Sequence, residues 1–295
     1  MARGAAREAV TAVRIATAAV LIPAVVAAVW WGSPAVVAAL VGLIVVLALL
    51  EFFKLGERVG LQGYRVWTCI CALAVLFQQW SATQTQEIAL GRNVHITRDS
   101  TAWQLPLELI FFIFVLGVAA SLFASRRPLA SALGDMGISA AGLLFIVLPS
   151  SALVRLDGVP MIGPRLLLFT LVLVWAGDTL AYFTGRTIGR WRMAPQLSPG
   201  KTWEGAAANL LASLAVGAAF ARWLHIDGRE VMAMAGLANI AGQAGDLLKS
   251  AYKRCANVKD SGTLLPGHGG VLDRIDALLL AAPVVWYYFD LVLAR

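Results

Sequence analysis

Runs of about twenty apolar residues recur along this chain, the first from about Ala12 to Trp31 and the last from about Val271 to Leu293. A helix of that length crosses the ~30 Å hydrocarbon core of a bilayer and satisfies its backbone N–H and C=O groups within one segment. No other feature restricts the fold so strongly. With 59% hydrophobic residues, 14% charged residues and a mean hydropathy of +0.76, the chain falls outside the range of soluble globular domains. The expectation is an all-α, polytopic integral membrane protein of about nine transmembrane helices. The net charge of +7 invites a nucleic-acid reading. The basic residues, however, sit in short loops between apolar runs, where they set topology and attract anionic headgroups. Cys69 and Cys71 lie in an apolar run and Cys255 stands alone, so no disulfide framework or zinc spacing is present.

The first run follows a short basic start with Arg3 and Arg7, as a signal peptide would. Further runs follow at once, so it reads as an uncleaved first helix. The second runs from about Ala35 to Phe53, after which Glu51, Lys54, Glu57, Arg58 and Arg65 mark an aqueous loop. The third covers about Val66 to Trp80, and residues 81–104 form a polar stretch without periodicity, read as a loop of open role. Later runs lie at about Leu105–Ala124, Leu129–Val154, Pro164–Gly185, Gly205–Leu224 and Glu230–Leu248. With nine spans, sixteen Lys and Arg residues fall on the N-terminal side of the membrane and seven on the other. That asymmetry predicts a cytoplasmic N-terminus and puts the loops after the sixth and eighth spans in the cytoplasm.

Chemistry-bearing residues gather around those two loops. Asp178 lies within the sixth span, and an embedded carboxylate costs roughly 2.5–3.5 kcal/mol on insertion scales unless it meets a partner or a wet cavity. A structural ion pair is the plainer reading for it. Gly177, Ala181 and Gly185 recur every four residues and let a neighbouring helix approach. Ser198-Pro199-Gly200-Lys201-Thr202 then precedes a helix start. It lacks the first glycine of a P-loop and no strand is expected before it, so that motif is rejected. What remains is a turn with free N–H groups, one cation and one hydroxyl at a helix N-terminus, which favours phosphate. Glu204 is read equally well as a first-turn cap partner of Thr202 or Ser198.

Further on, Asp246, Lys249 and Lys253 share a face if helical, as do Asp273 and Asp276. Carboxylates at the ends of different helices, ringed by Lys and Arg, suit Mg²⁺ holding a polyphosphate. His268, flanked by glycines and without a second His nearby, reads as a loop hydrogen-bonder or phosphate contact.

The string Ser250-x-x-Lys253-Arg254, then Lys259-Asp260-x-Gly262-x-x-Leu265-Pro266-x-His268-Gly269-Gly270-x-x-Asp273-Arg274-x-Asp276, resembles the signature of the phosphatidate cytidylyltransferase family. Tyr252 departs mildly, standing where an aliphatic residue or Phe is usual. Ser198-Pro199-Gly200-Lys201-Thr202-x-Glu204-Gly205 and Asp178-x-x-Ala181-Tyr182 look like that family's upstream blocks. The resemblance covers about Trp175 to Asp276; the N-terminal spans agree only in kind.

The resemblance implies a homodimeric, nine-span enzyme of the cytoplasmic membrane. Such an enzyme joins CTP and phosphatidic acid to give CDP-diacylglycerol and pyrophosphate. It further implies Mg²⁺, together with K⁺, at Asp246 and Asp273, with Asp276 or Asp178 in support. Lys201, Lys249, Lys253, Arg254, Lys259 and Arg274 would then meet phosphates, alongside Ser198, Thr202, Asp260 and His268. On this reading residues 1–124 are an N-terminal membrane region of about four helices. Residues 125–295 are a catalytic membrane region of about five helices with cytoplasmic loops 186–204 and 249–270.

A CTP-dependent lipid kinase shares the need for Mg²⁺ and a basic pocket and differs in product. A secondary transporter would show internal repeats and paired broken helices; here the charges cluster at one membrane face in one half.

Overall fold

The computed structural model describes residues 17, 19–84, 105–124, 128–262 and 269–294. Its helices are α1 (Ala19–Trp31), α2 (Pro34–Arg58), α3 (Arg65–Gln84), α4 (Leu107–Ala124), α5 (Leu129–Gly142) and α6 (Leu148–Asp157). They continue with α7 (Gly163–Thr187), α8 (Trp203–Leu224), α9 (Gly228–Cys255) and α10 (Leu272–Tyr288). A two-stranded antiparallel hairpin, β1 (Arg192–Ala194) and β2 (Ser198–Thr202), joins α7 to α8. The fold is predominantly helical, consistent with the all-α expectation, and this short hairpin is the strand pairing among the described residues.

Local chemistry marks several starts. The Ser33 hydroxyl accepts from Val36 N with Pro34 in the first turn of α2, and the Asp227 carboxylate accepts from Arg229 N at 2.8 Å. Between α5 and α6 the helix widens into a π-helical turn, Leu143–Val147. Pro149 follows it and has no N–H to return to the preceding turn, which is where such widening is tolerated.

Seven helical stretches among the described residues are long and apolar enough to cross a membrane. α5, the π-helical turn and α6 count together as one of them, and α10 with the segment that follows it as another. Two of the nine expected spans fall short, for different reasons. The described part of the first is only Ala19–Trp31. The eighth, α9, is long but carries Asn239, Gln243, Asp246, Lys249, Lys253 and Arg254 along its length. Outward-facing side chains fit a lipid surround, as with the exposed stripe Val66, Ile70, Leu73 and Phe77 on α3.

Close helix approaches set up the site. Gly242 and Gly245 of α9 press against α10; a Cβ on Gly245 would come within 2.7 Å of the Asp276 carbonyl oxygen. Gly177 and Gly185 of α7 likewise make room for Asn209 on α8 and for Thr202, as their spacing predicts. The result is a tight α7–α8–α9–α10 bundle with α2 and α6 packed against α10.

Candidate active site

At one end of this bundle, α9 and α10 bring four charged groups together. Lys249 is buried, and its ammonium pairs with Asp276 and lies 3.2 Å from Asp273. One turn further along α9, Lys253 pairs with the same Asp273 oxygen at 2.9 Å. Lys201, at the end of β2, reaches Asp246 on α9 at 2.6 Å. Asp246 in turn touches Asp276, and Asp178 on α7 lies within electrostatic reach of Asp246, Asp276 and Lys201. Carboxylates on three helices are thus interleaved with ammonium groups. The pairing offsets the cost of removing these charges from water.

The hairpin delivers Lys201. Arg192 donates to the Pro199 carbonyl at 2.7 Å, and Trp203 N donates to the Trp191 carbonyl at 3.0 Å. From α9, Arg254 Nε donates to the Leu197 carbonyl at 3.1 Å and fixes the tip. Glu204 does not cap Thr202 or Ser198; its carboxylate accepts from Arg190 N at 3.0 Å and Trp191 N at 3.2 Å, tying α8 back to the incoming chain. Thr202 is the helix cap, its hydroxyl accepting from Gly205 N at 3.1 Å. Thr202→Ala is expected to cost about 1 kcal/mol, read as a fall of a few degrees in the thermal midpoint in detergent.

The profile of the Cytidylyltransferase family matches residues 12–292. The chain belongs to that family. It is 32% identical over 298 residues to a protein of Haemophilus influenzae named phosphatidate cytidylyltransferase, covering 95% of this chain and 99% of the relative. A Brucella abortus protein of the same name is 32% identical over 247 residues, 80% of this chain and 87% of its own. One from Bacillus subtilis is 31% identical over 159 residues, 53% of this chain and 59% of its own.

Within this cytidylyltransferase, Lys201, Asp246, Lys249, Lys253, Asp273 and Asp276 converge with Asp178 beside them. Lys249, Lys253 and Arg254 belong to α9, which runs on to Cys255, and not to a loop beginning at 249. Likewise α7 runs to Thr187, and β1 and β2 lie within the stretch expected as a loop at 186–204. Ser198 opens β2 opposite Ala194, and Thr202 is buried as a cap. Arg254, Lys259, Asp260 and Arg274 are exposed. His268 lies outside the described residues, as do residues 1–16 and 85–104.

Two sets of residues escaped the sequence reading. One is a polar network between the helices. Asn209 donates to Asp178 at 3.4 Å, Asn239 donates to Asn209 and to Ser213 at 2.7 Å, and Gln243 donates to the Ala206 carbonyl at 3.2 Å. The signal was available: Asn239 and Gln243 stand four residues apart on one helix, and such amides between apolar helices must find partners. The other is Glu51. It does not mark an aqueous loop. α2 continues to Arg58 and buries Glu51, which reaches residues more than 200 positions away. No spacing rule in the sequence points to that pairing.

Proposed function

We propose that this cytidylyltransferase acts on phosphatidic acid and CTP, releasing CDP-diacylglycerol and pyrophosphate. One observation carries the reading. Lys201, Lys249 and Lys253 are held against Asp246, Asp273 and Asp276 at one end of a membrane-embedded bundle, in a chain of this family. A phosphate oxygen of the lipid is itself the nucleophile. It forms a bond to the α-phosphorus of CTP as the bond from that phosphorus to the β-phosphate oxygen breaks, and pyrophosphate leaves. No Ser or Cys attacker is required.

What the protein must supply is charge, since two anions meet and a third departs. Lys201, Lys249 and Lys253 offer cations that exchange an aspartate for a phosphate oxygen, and exposed Arg254, Lys259 and Arg274 extend that field. Asp260, Ser198, Thr202 and His268 are assigned to the nucleotide side.

Among the described residues no group of three or more His, Cys, Asp or Glu is arranged to hold a metal ion by itself. Mg²⁺ rarely needs one, being held by one or two carboxylates plus substrate phosphates. Asp246, Asp273 and Asp276 would supply the carboxylate oxygens for such an ion once substrate phosphates take over the ammonium groups of Lys201 and Lys249. Mg²⁺ bound there would neutralise phosphate charge. The K⁺ of this reading rests on the family resemblance alone.

The remaining assignments belong to the same proposal. The chain crosses the cytoplasmic membrane nine times, with its N-terminus and the paired charges facing the cytoplasm. Residues 125–295 carry catalysis, residues 1–124 form the accompanying membrane region, and the enzyme works as a homodimer.

The test uses purified protein in detergent with phosphatidic acid, Mg²⁺ and CTP labelled at the α-phosphate. Label entering the lipid fraction as pyrophosphate appears is the expected result. Label left in soluble CDP, with a lipid that gains a phosphate, would establish a kinase instead.

A further inference from the structure

Glu51 is a buried carboxylate that the proposed reaction does not use. It stands on α2, in the N-terminal half, yet its hydrogen bonds are made to the other end of the chain. Oε1 accepts from Val271 N and Oε2 from Leu272 N, both at 2.9 Å. These are amides at the start of α10, which no preceding helical turn can satisfy, and the partial positive charge of a helix N-terminus favours an anion there. Ser261 Oγ lies 3.0 Å from Glu51 Oε2 and 2.9 Å from Asp273 Oδ2, so one hydroxyl sits between the two carboxylates. Asp273 Oδ2 also accepts from Ser261 N at 2.9 Å and Gly270 N at 3.1 Å.

The glycines around this point are shaped to the carboxylate. A Cβ on Gly262 would come within 2.5 Å of Glu51 Oε1, and one on Gly270 would collide with Glu51 and with Ser261 Oγ. Neither glycine has a positive φ, so their smallness serves space and not backbone conformation. Two glycines on either side of residues 263–268 therefore close on a side chain contributed by α2. The same two segments carry Ser261, Asp273 and, one turn along α10, Asp276.

We propose that Glu51 is a positioning residue for the charged site: it locks the start of α10 and the Ser261 segment together, so that Asp273 faces Lys249 and Lys253. The inference deepens the proposed cytidylyl transfer and rests on that reading for its kinetic consequence. Its structural consequence stands apart from it. Glu51→Gln keeps the shape but turns one acceptor into a donor facing a backbone N–H. Hydrogen exchange at the Val271 and Leu272 amides should rise about tenfold or more, because a charge-assisted bond is lost, while exchange further along α10 is unchanged.

In the transfer assay kcat should fall about tenfold or more with KM for CTP nearly unchanged, and Glu51→Asp should recover part of the loss. Gly270→Ala, which displaces the carboxylate from the other side, should reproduce the local exchange signature if Glu51→Gln fails to fold. Unchanged protection of Val271 and Leu272 in both variants would overturn the positioning role, as would equal loosening of the whole bundle. Wild-type protein that transfers no label, with the exchange signature present in the variants, would overturn the reaction and leave the positioning role intact.

Discussion

Asp246→Asn is expected to lower cytidylyl transfer by about 10³-fold or more while the bundle stays folded. The asparagine keeps the size of the side chain and one acceptor, but it removes the charge and puts an amide donor where the second oxygen stood. That charge now answers Lys201 at 2.6 Å and touches Asp276. Lys201 and Asp246 are half-buried, so breaking the pair should cost less than the about 3–5 kcal/mol of breaking a fully buried one. A large kinetic loss beside a small stability change therefore assigns the carboxylate to the reaction and not to the fold.

Asp273→Asn is a poorer probe. Asp273 accepts from Ser261 N, Ser261 Oγ and Gly270 N as well as pairing with two lysines, so its replacement disturbs the loop and the charge together. The measurement is label transfer over a range of Mg²⁺ concentrations, with circular dichroism and gel filtration in detergent as the control on folding. Turnover of Asp246→Asn within about tenfold of the parent would remove Asp246 from the site.

Much of this site could be read from the sequence because its parts lie on the same helix faces. Asp246, Lys249 and Lys253 recur at helical spacing, and so do Asp273 and Asp276; both sets converge as that spacing requires. The small residues Gly177, Ala181 and Gly185 announced a close neighbour, and α8 is that neighbour.

What was not legible depends on contacts between distant segments. The hairpin has strands of three and five residues with Pro199 and Gly200 inside one of them, a poor strand by propensity. It stands because Arg192, Arg254 and Glu204 each bond to its backbone or its flanks. Glu51 looked like a loop charge because it sits among Lys54, Glu57 and Arg58. Only the packing of α2 against the start of α10 reveals its partners. The amides of α9 are equally a matter of tertiary contact, since Asn239 and Gln243 bond to α8 and to each other.

Lys249→Met should be the most destabilising single change in the site, by about 3–5 kcal/mol, because it strips the counter-charge from buried carboxylates. Lys249 is 4% exposed, and its ammonium also lies 3.4 Å from the Leu272 carbonyl oxygen, so methionine fills the space of the stem but satisfies none of these acceptors. The loss does not fall equally on its partners. Asp273 keeps Lys253 at 2.9 Å and the amides of Ser261 and Gly270, whereas among the described residues Asp276 keeps the neighbouring Asp246 and the amide of Ala277. Asp276 is then a part-buried carboxylate beside another carboxylate.

The double variant Lys249→Met with Asp276→Asn removes that repulsion and should recover most of the stability in a denaturant series carried out in detergent. If Lys249 meets a substrate phosphate as proposed, transfer should not recover, because that cation is still missing. Recovery of both together would mean that Lys249 serves the fold alone. A single variant as stable as the parent would mean that water already reaches the pair. Stability restored without activity is the outcome that separates the ammonium's structural work from its chemical work, since the second substitution repairs only the first.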